Sequence, residues 1–257
     1  METQINTMAM DDSYMKSLAA FRKRNGREVV ANTLSKISTD VKLGSVRSCL
    51  AVGPGEGRYD IEFIRHCAAN TSKFIGVEFD RGSAEHLKTS LRSSLPSVES
   101  QVFETYIQNW DGPGIPVDLV TMFHVLYYIE AGERQQLLKK VHDSWLVSGG
   151  YVAVLTARRT KAPNSADIVH ERLGCWHPTY DDIEAEFLKA GFTKHYEHKM
   201  HWTRDLSGPC ENLVPFYQLL IKDRVLTVDE LRDAMKGLIS PEKADVFQVL
   251  AIFKSTN

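Results

Sequence analysis

A short apolar run that ends in three alternating glycines constrains this chain more than any other feature. The run is Val46-Arg-Ser-Cys-Leu-Ala-Val52, and the segment Gly53-Pro-Gly55-Glu-Gly57 follows it directly, ahead of a stretch with helical periodicity. A strand that passes through a glycine-rich turn into a helix lets the backbone approach a nucleotide-like ligand closely. The sequence therefore predicts a cofactor-binding α/β domain.

An acidic residue ends the next apolar run, Phe74-Ile-Gly-Val-Glu78. In nucleotide-binding α/β folds the acid at this place accepts hydrogen bonds from the ribose hydroxyls, so Glu78 is the candidate and Asp80 is the alternative. A dinucleotide fingerprint, G-x-G-x-x-G, would need its third glycine at position 58, where this chain has the bulky Arg58. The spacing thus disfavours a pyrophosphate site and a nicotinamide cofactor.

Apolar periodicity predicts strands that alternate with helices along most of the chain. A helix from about 13 to 40, interrupted at Asn25-Gly26, precedes the first strand. We predict strands at 46–52, 73–78, about 100–106, 117–123, 151–156, 192–200 and 246–253, and helices at 58–70, 82–93, about 131–144, 179–190, 211–222 and 227–238. Gly149-Gly150 is expected to break the chain before the fifth strand. This alternation indicates a parallel sheet with helices on both faces.

Whole-chain composition disfavours several classes of function. The 257 residues suit one large α/β domain, the net charge of −2 gives no attraction for nucleic acid or a membrane surface, and no apolar stretch has the length of a membrane span. The first residues lack the apolar core of a signal peptide, and the four cysteines are too widely spaced for a metal-binding pair. We therefore expect a cytoplasmic monomer with free thiols, no bound metal and a small-molecule partner.

The glycine turn, Glu78 and the segment after the fourth strand, Phe123-His124-Val-Leu-Tyr127-Tyr128, together resemble class I S-adenosylmethionine-dependent methyltransferases. The resemblance implies a Rossmann-like α/β fold with a mixed seven-stranded sheet, helices on both faces, a final antiparallel strand and an N-terminal helical cap. It divides a single domain, 1–257, into the cap at 1–42, the cofactor-binding core at 43–156 and a substrate-side elaboration with the final strands at 157–257. The cofactor would be S-adenosylmethionine. The residues expected to contact it are Gly53, Gly55, Gly57, Glu78, Asp80, Gln108 and Phe123.

A second resemblance concerns the acceptor of the methyl group. The segment Tyr14-Met-Lys-Ser-Leu-Ala-Ala-Phe21, with Glu28 after it, and the segment His124-Val-Leu-Tyr127-Tyr128-Ile129 are similar to histamine N-methyltransferases. This resemblance implies a small-molecule amine or an imidazole-bearing acceptor, whose cationic end Glu28 would hold. The aromatic residues that would line the acceptor pocket are Tyr14, Phe21, Tyr127 and Tyr128.

Two positions depart from that family. His124 stands where the family has a glutamine that hydrogen-bonds the substrate, and Asp245 stands where it has a pocket asparagine. Because a polar group built into a small pocket discriminates strongly between ligands, these departures leave the identity of the acceptor open. We expect Glu28 to orient the acceptor and His124 to orient it or to accept a proton, so these two are the candidate catalytic residues.

Other interpretations of the same residues remain open. Tyr14 and Phe21 also suit the core-facing side of a helix, His124 also suits a structural position at a strand end, and Glu28 also suits a solvated surface. The acceptor could instead be another small nucleophile that reacts through an oxygen or a carboxylate. A protein that binds S-adenosylmethionine without transferring its methyl group is a further alternative.

Overall fold

The structure, a computed structural model, describes residues 27–41, 43–160, 162, 164–175, 178–205, 209–218, 221, 224–236, 238 and 243–257. These residues divide into two compact units. The core unit comprises 28–159, 178–201 and 247–257, and the second unit includes the described residues of 160–177 and 202–246. The expected assignment of residues 1–257 to one domain stays a prediction.

A mixed sheet of seven strands organises the fold. The strands are β1 Ser48–Val52, β2 Lys73–Glu78, β3 Glu99–Glu104, β4 Val117–Phe123, β5 Leu146–Ala157, β6 Phe192–Asp205 and β7 Lys243–Ser255. Their order across the sheet is β3-β2-β1-β4-β5-β7-β6. Neighbours from β3 to β5 are parallel, and β7 runs antiparallel to β5. The predicted fold class and the antiparallel final strand are therefore confirmed.

Helices connect the strands in the alternation that the sequence predicts. They are α1 Arg27–Val41, α2 Arg58–Cys67, α3 Arg81–Ser94, α4 Ala131–Lys140, α5 Asp167–Arg172, α6 Tyr180–Lys189, α7 Val214–Gln218 and α8 Val228–Met235. The part of the first predicted helix that precedes residue 27 lies outside the described residues. No helix within the described ranges is both long enough and apolar enough to span a membrane.

The helices cover both faces of the sheet. On one face, Val52 of β1 and Val120 of β4 belong to a buried cluster that includes Leu137 of α4 and Phe187 of α6. On the opposite face, Phe63 of α2 packs edge-on against Phe123 of β4, with ring centroids 5.4 Å apart. The strand order reverses between β1 and β4, so the carboxyl ends of these strands open the crevice in which α/β folds bind ligands.

Some predicted bounds differ from the structure. Gly149-Gly150 lies within the bounds of β5, but the regular pairing of β5 with β4 resumes only after it, at Tyr151. The register shifts between the pair Val117 with Leu146 and the pair Leu119 with Tyr151, and Gly149 has a φ of 70°, so the glycine pair interrupts the ladder before the regularly paired part of β5. The helix predicted to end near 144 ends at Lys140 and continues as a π-helical turn, Val141–Trp145.

Candidate functional site

The glycine turn after β1 adopts a backbone conformation that suits glycine. The φ angles of Gly53, Gly55 and Gly57 are 58°, 58° and 79°. A Cβ atom on Gly53 would lie 2.5 Å from Cγ2 of Val125, and one on Gly57 would collide with Leu87. The turn therefore excludes side chains both by its conformation and by the close approach of its neighbours.

Helix α2 begins at this turn without a side-chain cap. Gly57 is the N-cap residue, and no side chain accepts a hydrogen bond there. The first backbone N–H groups of a helix have no acceptor within the helix and carry a partial positive charge. This end of α2 therefore suits a carboxylate group, such as the one on the amino-acid tail of S-adenosylmethionine.

Backbone donors fix the carboxylate of Glu78 beside the glycine turn. Its Oε2 accepts a hydrogen bond from the backbone N of Gly55 at 2.8 Å, and its Oε1 accepts one from the backbone N of Asp80 at 3.0 Å. Glu78 is 5% exposed, and burial raises the pKa of its carboxyl above the usual value. Because each carboxylate oxygen has a second lone pair, the same group can also accept the two hydroxyls of a ribose.

Two other predicted cofactor residues have partners within the protein. Asp80 is the N-cap of α3, where its Oδ2 accepts a hydrogen bond from the backbone N of Ser83 at 2.7 Å. Gln108 donates from Nε2 to Oε2 of Glu133 in α4 at 3.0 Å. Asp80 therefore has a structural role at α3, and the ribose contact of Glu78 or Asp80 stays a prediction. Contacts of Asp80 and Gln108 with the cofactor stay predictions.

An exposed aromatic pair lies next to Glu78, and the sequence analysis missed it. Phe79 follows Glu78 directly, and Tyr106 follows the end of β3. The two rings stack with centroids 5.0 Å apart and an angle of 13° between their planes. A flat, exposed aromatic surface at this edge of the sheet suits a nucleobase. The sequence signal that could have found it is the aromatic residue directly after the acid.

The fourth strand ends in a residue with unusual backbone geometry. His124 has a φ of 56°, and it is the one non-glycine residue with a positive φ among those the structure describes. Its ring centroid lies 5.3 Å from that of Tyr59 and 6.3 Å from that of Tyr127. A left-handed backbone costs a non-glycine residue about 1–2 kcal/mol, and such strain concentrates at functional sites. The structure thus brings two predicted site residues together with Tyr59, which the sequence analysis missed.

A buried arginine holds the turn that carries the two tyrosines. Tyr127 and Tyr128 lie in the 3₁₀ turn Leu126–Tyr128, with ring centroids 4.5 Å apart. Arg134 of α4 donates from Nη1 to the backbone O of Ile129 at 2.6 Å. Its Nε and Nη2 donate to the two carboxylate oxygens of Glu186 in α6 at 2.8 and 2.6 Å. This two-pronged ion pair fixes the turn against both helices.

The remaining predicted residues fall in different places along the chain. Glu28 lies in the first turn of α1 and is exposed to solvent. Phe123 is 6% exposed and packs against Phe63, so its ring belongs to the core as well as to the end of β4. Tyr14 and Phe21 lie outside the described residues. The acceptor-binding roles of Glu28, Tyr14 and Phe21 and the cofactor contact of Phe123 stay predictions.

The expected polar residue near the C-terminus, Asp245, belongs to the second unit. Its backbone N donates to the O of Asn164 at 2.8 Å, and its backbone O accepts from the N of Ala166 at 2.9 Å. Its Oδ1 accepts a hydrogen bond from the Thr203 hydroxyl at 3.5 Å, the outer limit for such a contact. The role of Asp245 in binding the acceptor stays a prediction.

A buried glutamine of the core unit lies three residues further along β7. Gln248 is 6% exposed, and its Oε1 has no hydrogen-bond partner among the described residues. In the register of β7 with β5 it lies opposite Ala157, the last residue of β5. A buried amide oxygen without a partner is uncommon and indicates a missing ligand or water. Sequence analysis missed Gln248 because its neighbours form a continuous apolar strand.

The features at this edge of the sheet fit S-adenosylmethionine in chemistry. The bare glycine turn and the uncapped end of α2 suit its amino-acid tail, Glu78 suits its ribose, and the stacked pair of Phe79 and Tyr106 suits its adenine. Among the residues that the structure describes, no group of three or more His, Cys, Asp or Glu side chains could hold a metal ion.

Comparison with solved structures places the fold among methyltransferases. A Bacillus halodurans protein provisionally assigned as a methyltransferase has a TM-score of 0.62 at 15% identity, over 88% of this chain and 100% of that chain. The N-methyltransferase NodS from Bradyrhizobium japonicum, in complex with S-adenosylhomocysteine, has a TM-score of 0.57 at 13% identity, over 96% and 100%. A Nostoc punctiforme protein provisionally assigned as an O-methyltransferase has a TM-score of 0.56 at 16% identity, over 96% and 63%. Identities this low establish the shared fold alone.

The family follows from the sequence comparison. None of the curated proteins matches this sequence significantly. The profile of a methyltransferase domain matches residues 20–197, well over half of the chain, and the match includes the glycine turn, Glu78 and the end of β4. This chain therefore belongs to the methyltransferase family and is a class I S-adenosylmethionine-dependent methyltransferase.

Proposed function

We propose that this methyltransferase transfers the methyl group to a nitrogen of a small amine or an imidazole-bearing molecule. The observation that carries the proposal is the aromatic group around His124, which includes Tyr59, Tyr127 and Tyr128 at the carboxyl end of β4. Aromatic faces attract cationic groups, and an amine is cationic over most of the physiological pH range. The resemblance to histamine N-methyltransferases supports the same class of acceptor.

Gln248 supports a nitrogen acceptor over a carboxylate acceptor. Paired residues of neighbouring strands lie on the same face of a sheet, and so do residues two apart in one strand. Phe123 pairs with Leu155 of β5. Two residues further along β5, Ala157 pairs with Gln248, so Gln248 lies on the same face as Phe123. Its Oε1 can only accept a hydrogen bond, and it has no donor among the described residues. An N–H group would satisfy this oxygen, whereas a carboxylate would leave it unpaired.

The chain's own residues would act by orientation. S-adenosylmethionine supplies a methyl group on a positively charged sulfur, and a lone pair of the acceptor takes it by in-line displacement. We assign Glu28 to the cationic end of the acceptor and His124 to the alignment of the attacking nitrogen or the removal of its proton. Holding two reactants in an aligned geometry lowers barriers by up to about 7–11 kcal/mol in favourable cases.

The direct test is a panel of acceptors with methyl-labelled S-adenosylmethionine. The panel contains small amines, imidazoles, phenols and carboxylic acids, and the readout is label transferred per enzyme. We expect transfer to amines or imidazoles at least ten times faster than to phenols or acids. Preferential transfer to a phenol or an acid would replace this proposal with an oxygen acceptor, and binding of S-adenosylhomocysteine without any transfer would indicate a protein that only binds the cofactor.

A pair of variants on α1 tests the part assigned to Glu28. We expect Glu28→Gln to raise the KM of the best amine about tenfold, the scale of one lost charge-assisted contact, with the Kd of S-adenosylmethionine unchanged. The matched control is Asp40→Asn, an exposed acid at the other end of the same helix, which should change neither constant. A loss of cofactor affinity in Glu28→Gln, with acceptor KM unchanged, would contradict the assignment.

A further inference from the structure

A buried carboxyl group lies behind the glycine turn. Asp60 is the third residue after Gly57, in the first turn of α2, and it is 2% exposed. Its Oδ1 accepts a hydrogen bond from the hydroxyl of Thr121 in β4 at 2.5 Å. The acceptor proposal uses neither residue. An acidic side chain this deeply buried is costly unless it is neutral or paired with a cation.

No cationic side chain among the described residues pairs with Asp60. The groups that face it from the packed strands are the Cys49 thiol of β1, the Glu78 carboxyl of β2 and the Thr121 hydroxyl of β4. Burial first, and the nearby Glu78 carboxylate in addition, raise the pKa of Asp60 to about 7 against the lowering effect of its hydrogen bonds. At neutral pH we therefore expect both the neutral and the ionised form of Asp60 in the ligand-free protein.

Three segments that form the cofactor site also surround Asp60. The glycine turn precedes it by three residues, Glu78 is its electrostatic neighbour, and Thr121 stands two residues before Phe123 at the end of β4. A positive charge brought into this site would favour the ionised form of Asp60, and a neutral ligand would not. The two ligands that the enzyme must exchange differ in this respect, since S-adenosylmethionine has a cationic sulfonium and S-adenosylhomocysteine has a neutral thioether.

We propose that Asp60 distinguishes the cationic methyl donor from the neutral product. Binding of S-adenosylmethionine releases a proton from the Asp60 carboxyl to solvent, and the resulting carboxylate stabilises the bound cation. Transfer of the methyl group converts the cationic sulfonium into a neutral thioether, and Asp60 then takes up a proton from solvent. Affinity for the product then falls relative to the donor, which favours product release. The inference concerns the cofactor alone and goes beyond the proposed acceptor.

The size of the effect follows from electrostatics. Two opposite unit charges on the order of 10 Å apart, at an effective dielectric constant of about 20, attract strongly enough to change an equilibrium constant roughly tenfold. Donor and product have the same ribose and amino-acid tail, so the effect of these shared groups on Glu78 is the same for both ligands, and Asp60→Asn separates the effect of the sulfonium on Asp60 from its effect on Glu78. The α-amino groups of both ligands are protonated near pH 6.5, which makes this the suitable pH for the comparison.

The test is titration calorimetry of the ligand-free protein at pH 6.5 in two buffers of different ionisation enthalpy, with S-adenosylmethionine and with S-adenosylhomocysteine. We expect the donor to release a larger fraction of a proton than the product does. The ratio of the two dissociation constants, product over donor, should rise roughly tenfold between pH 5.5 and 7.5. No acceptor is present, so the outcome is independent of whether the amine proposal holds.

Two variants assign the proton to Asp60. Asp60→Asn keeps an acceptor for the Thr121 hydroxyl but removes the charge, and we expect it to abolish both the difference in proton release and the pH dependence of the ratio. Asp118→Asn is the matched control, because it removes a hydrogen-bonded carboxylate at the amino end of β4 that accepts from the backbone N of Ser48 at 2.8 Å. It should behave as the unaltered protein does.

Two results would overturn the proposal for Asp60. Equal proton release for the two ligands in the unaltered protein overturns the proposal even if Asp60→Asn fails to fold. A ratio that keeps its pH dependence in Asp60→Asn also overturns it, because the proton would then belong to another group.

Discussion

The backbone N of Gly55 donates a hydrogen bond to Oε2 of Glu78 at 2.8 Å, and this bond joins the glycine turn of β1 to the acid that ends β2. Two elements that we predict to contact different parts of the cofactor therefore form one connected unit. The second oxygen of the same carboxylate accepts from the backbone N of Asp80, the residue that caps α3. A change at Glu78 should thus affect the position of the turn as well as the predicted contact with the ribose.

We expect Glu78→Gln to weaken S-adenosylmethionine binding by about 10- to 100-fold. The amide has one acceptor oxygen where the carboxylate has two, and charged hydrogen bonds are worth about 1.5–3 kcal/mol. Titration calorimetry measures the change directly. The control is Glu99→Gln at the amino end of β3, an exposed residue whose replacement should leave the dissociation constant as it was.

The raised pKa of Glu78 also predicts a pH dependence of cofactor binding. Burial raises this pKa, whereas ribose hydroxyls that donate to the carboxylate favour the ionised form. Affinity should therefore fall as the pH falls through the raised pKa of Glu78, at a higher pH than an exposed glutamate would require. Because donor and product share the ribose, both should weaken in parallel in Asp60→Asn, which lacks the second titrating carboxyl, and unequal weakening in that variant would contradict the assignment.

Gly57→Ala should destabilise the protein and impair cofactor binding together. Gly57 has a φ of 79°, and an added Cβ would collide with Leu87 of α3, so we expect a loss of about 1–3 kcal/mol in the free energy of unfolding. The matched control is Gly132→Ala in the first turn of α4, where no atom lies within 4 Å of an added Cβ. That change should be neutral or stabilising by up to about 1 kcal/mol. Similar denaturant midpoints for the two variants would argue against the steric account.

The glycine turn and the acid at the end of β2 could be predicted, because each depends only on local sequence. The apolar run of β1 and the glycines after it form one continuous segment, and Glu78 ends the next apolar run. The chemistry of these residues can be inferred without knowledge of the strand order. Sequence analysis did not single out Asp60, because its burial depends on the approach of β4. The position of Gln248 opposite Ala157 likewise depends on the pairing of β7 with β5, which the sequence does not show. The strand residues before Gly149-Gly150 could not be predicted, because their place in β5 depends on the pairing with β4.

Removal of Arg134 should be among the most destabilising single changes in the core unit. Arg134 is 2% exposed, and it pairs with Glu186 through two hydrogen bonds while it holds the Ile129 carbonyl. Arg134→Ala leaves a carboxylate without its cation, which in buried pairs costs about 3–5 kcal/mol. Denaturant unfolding of this variant should be compared with Arg232→Ala, which breaks an exposed contact with Asp229 in α8 and should cost under about 1 kcal/mol. Equal losses would show that burial of the pair has no energetic consequence.

Asp60 also predicts how stability depends on pH. Its pKa rises from the usual 3.8 to about 7 in the folded chain, so between these values the folded chain keeps a proton that the unfolded chain has lost. The contribution of this group to stability is therefore present at low pH and is lost as the pH rises to about 7. Asp60→Asn lacks this loss, and its melting temperature relative to the unaltered protein should increase from pH 5 to pH 8. A difference that stays constant with pH would mean that Asp60 is ionised throughout.

The strained backbone at His124 predicts an inverted order of stability between two small replacements. Alanine is normally more stabilising than glycine, because glycine has greater freedom in the unfolded chain. At a φ of 56° the order should reverse, and we expect His124→Gly to unfold at a higher denaturant concentration than His124→Ala, by about 1 kcal/mol. Both variants remove the ring that lies between Tyr59 and Tyr127, so both should lose methyl transfer to the same extent while cofactor affinity is retained. If the alanine variant were the more stable, the left-handed backbone would not be imposed by its surroundings, and the strain would have no part in presenting the histidine ring at the end of β4.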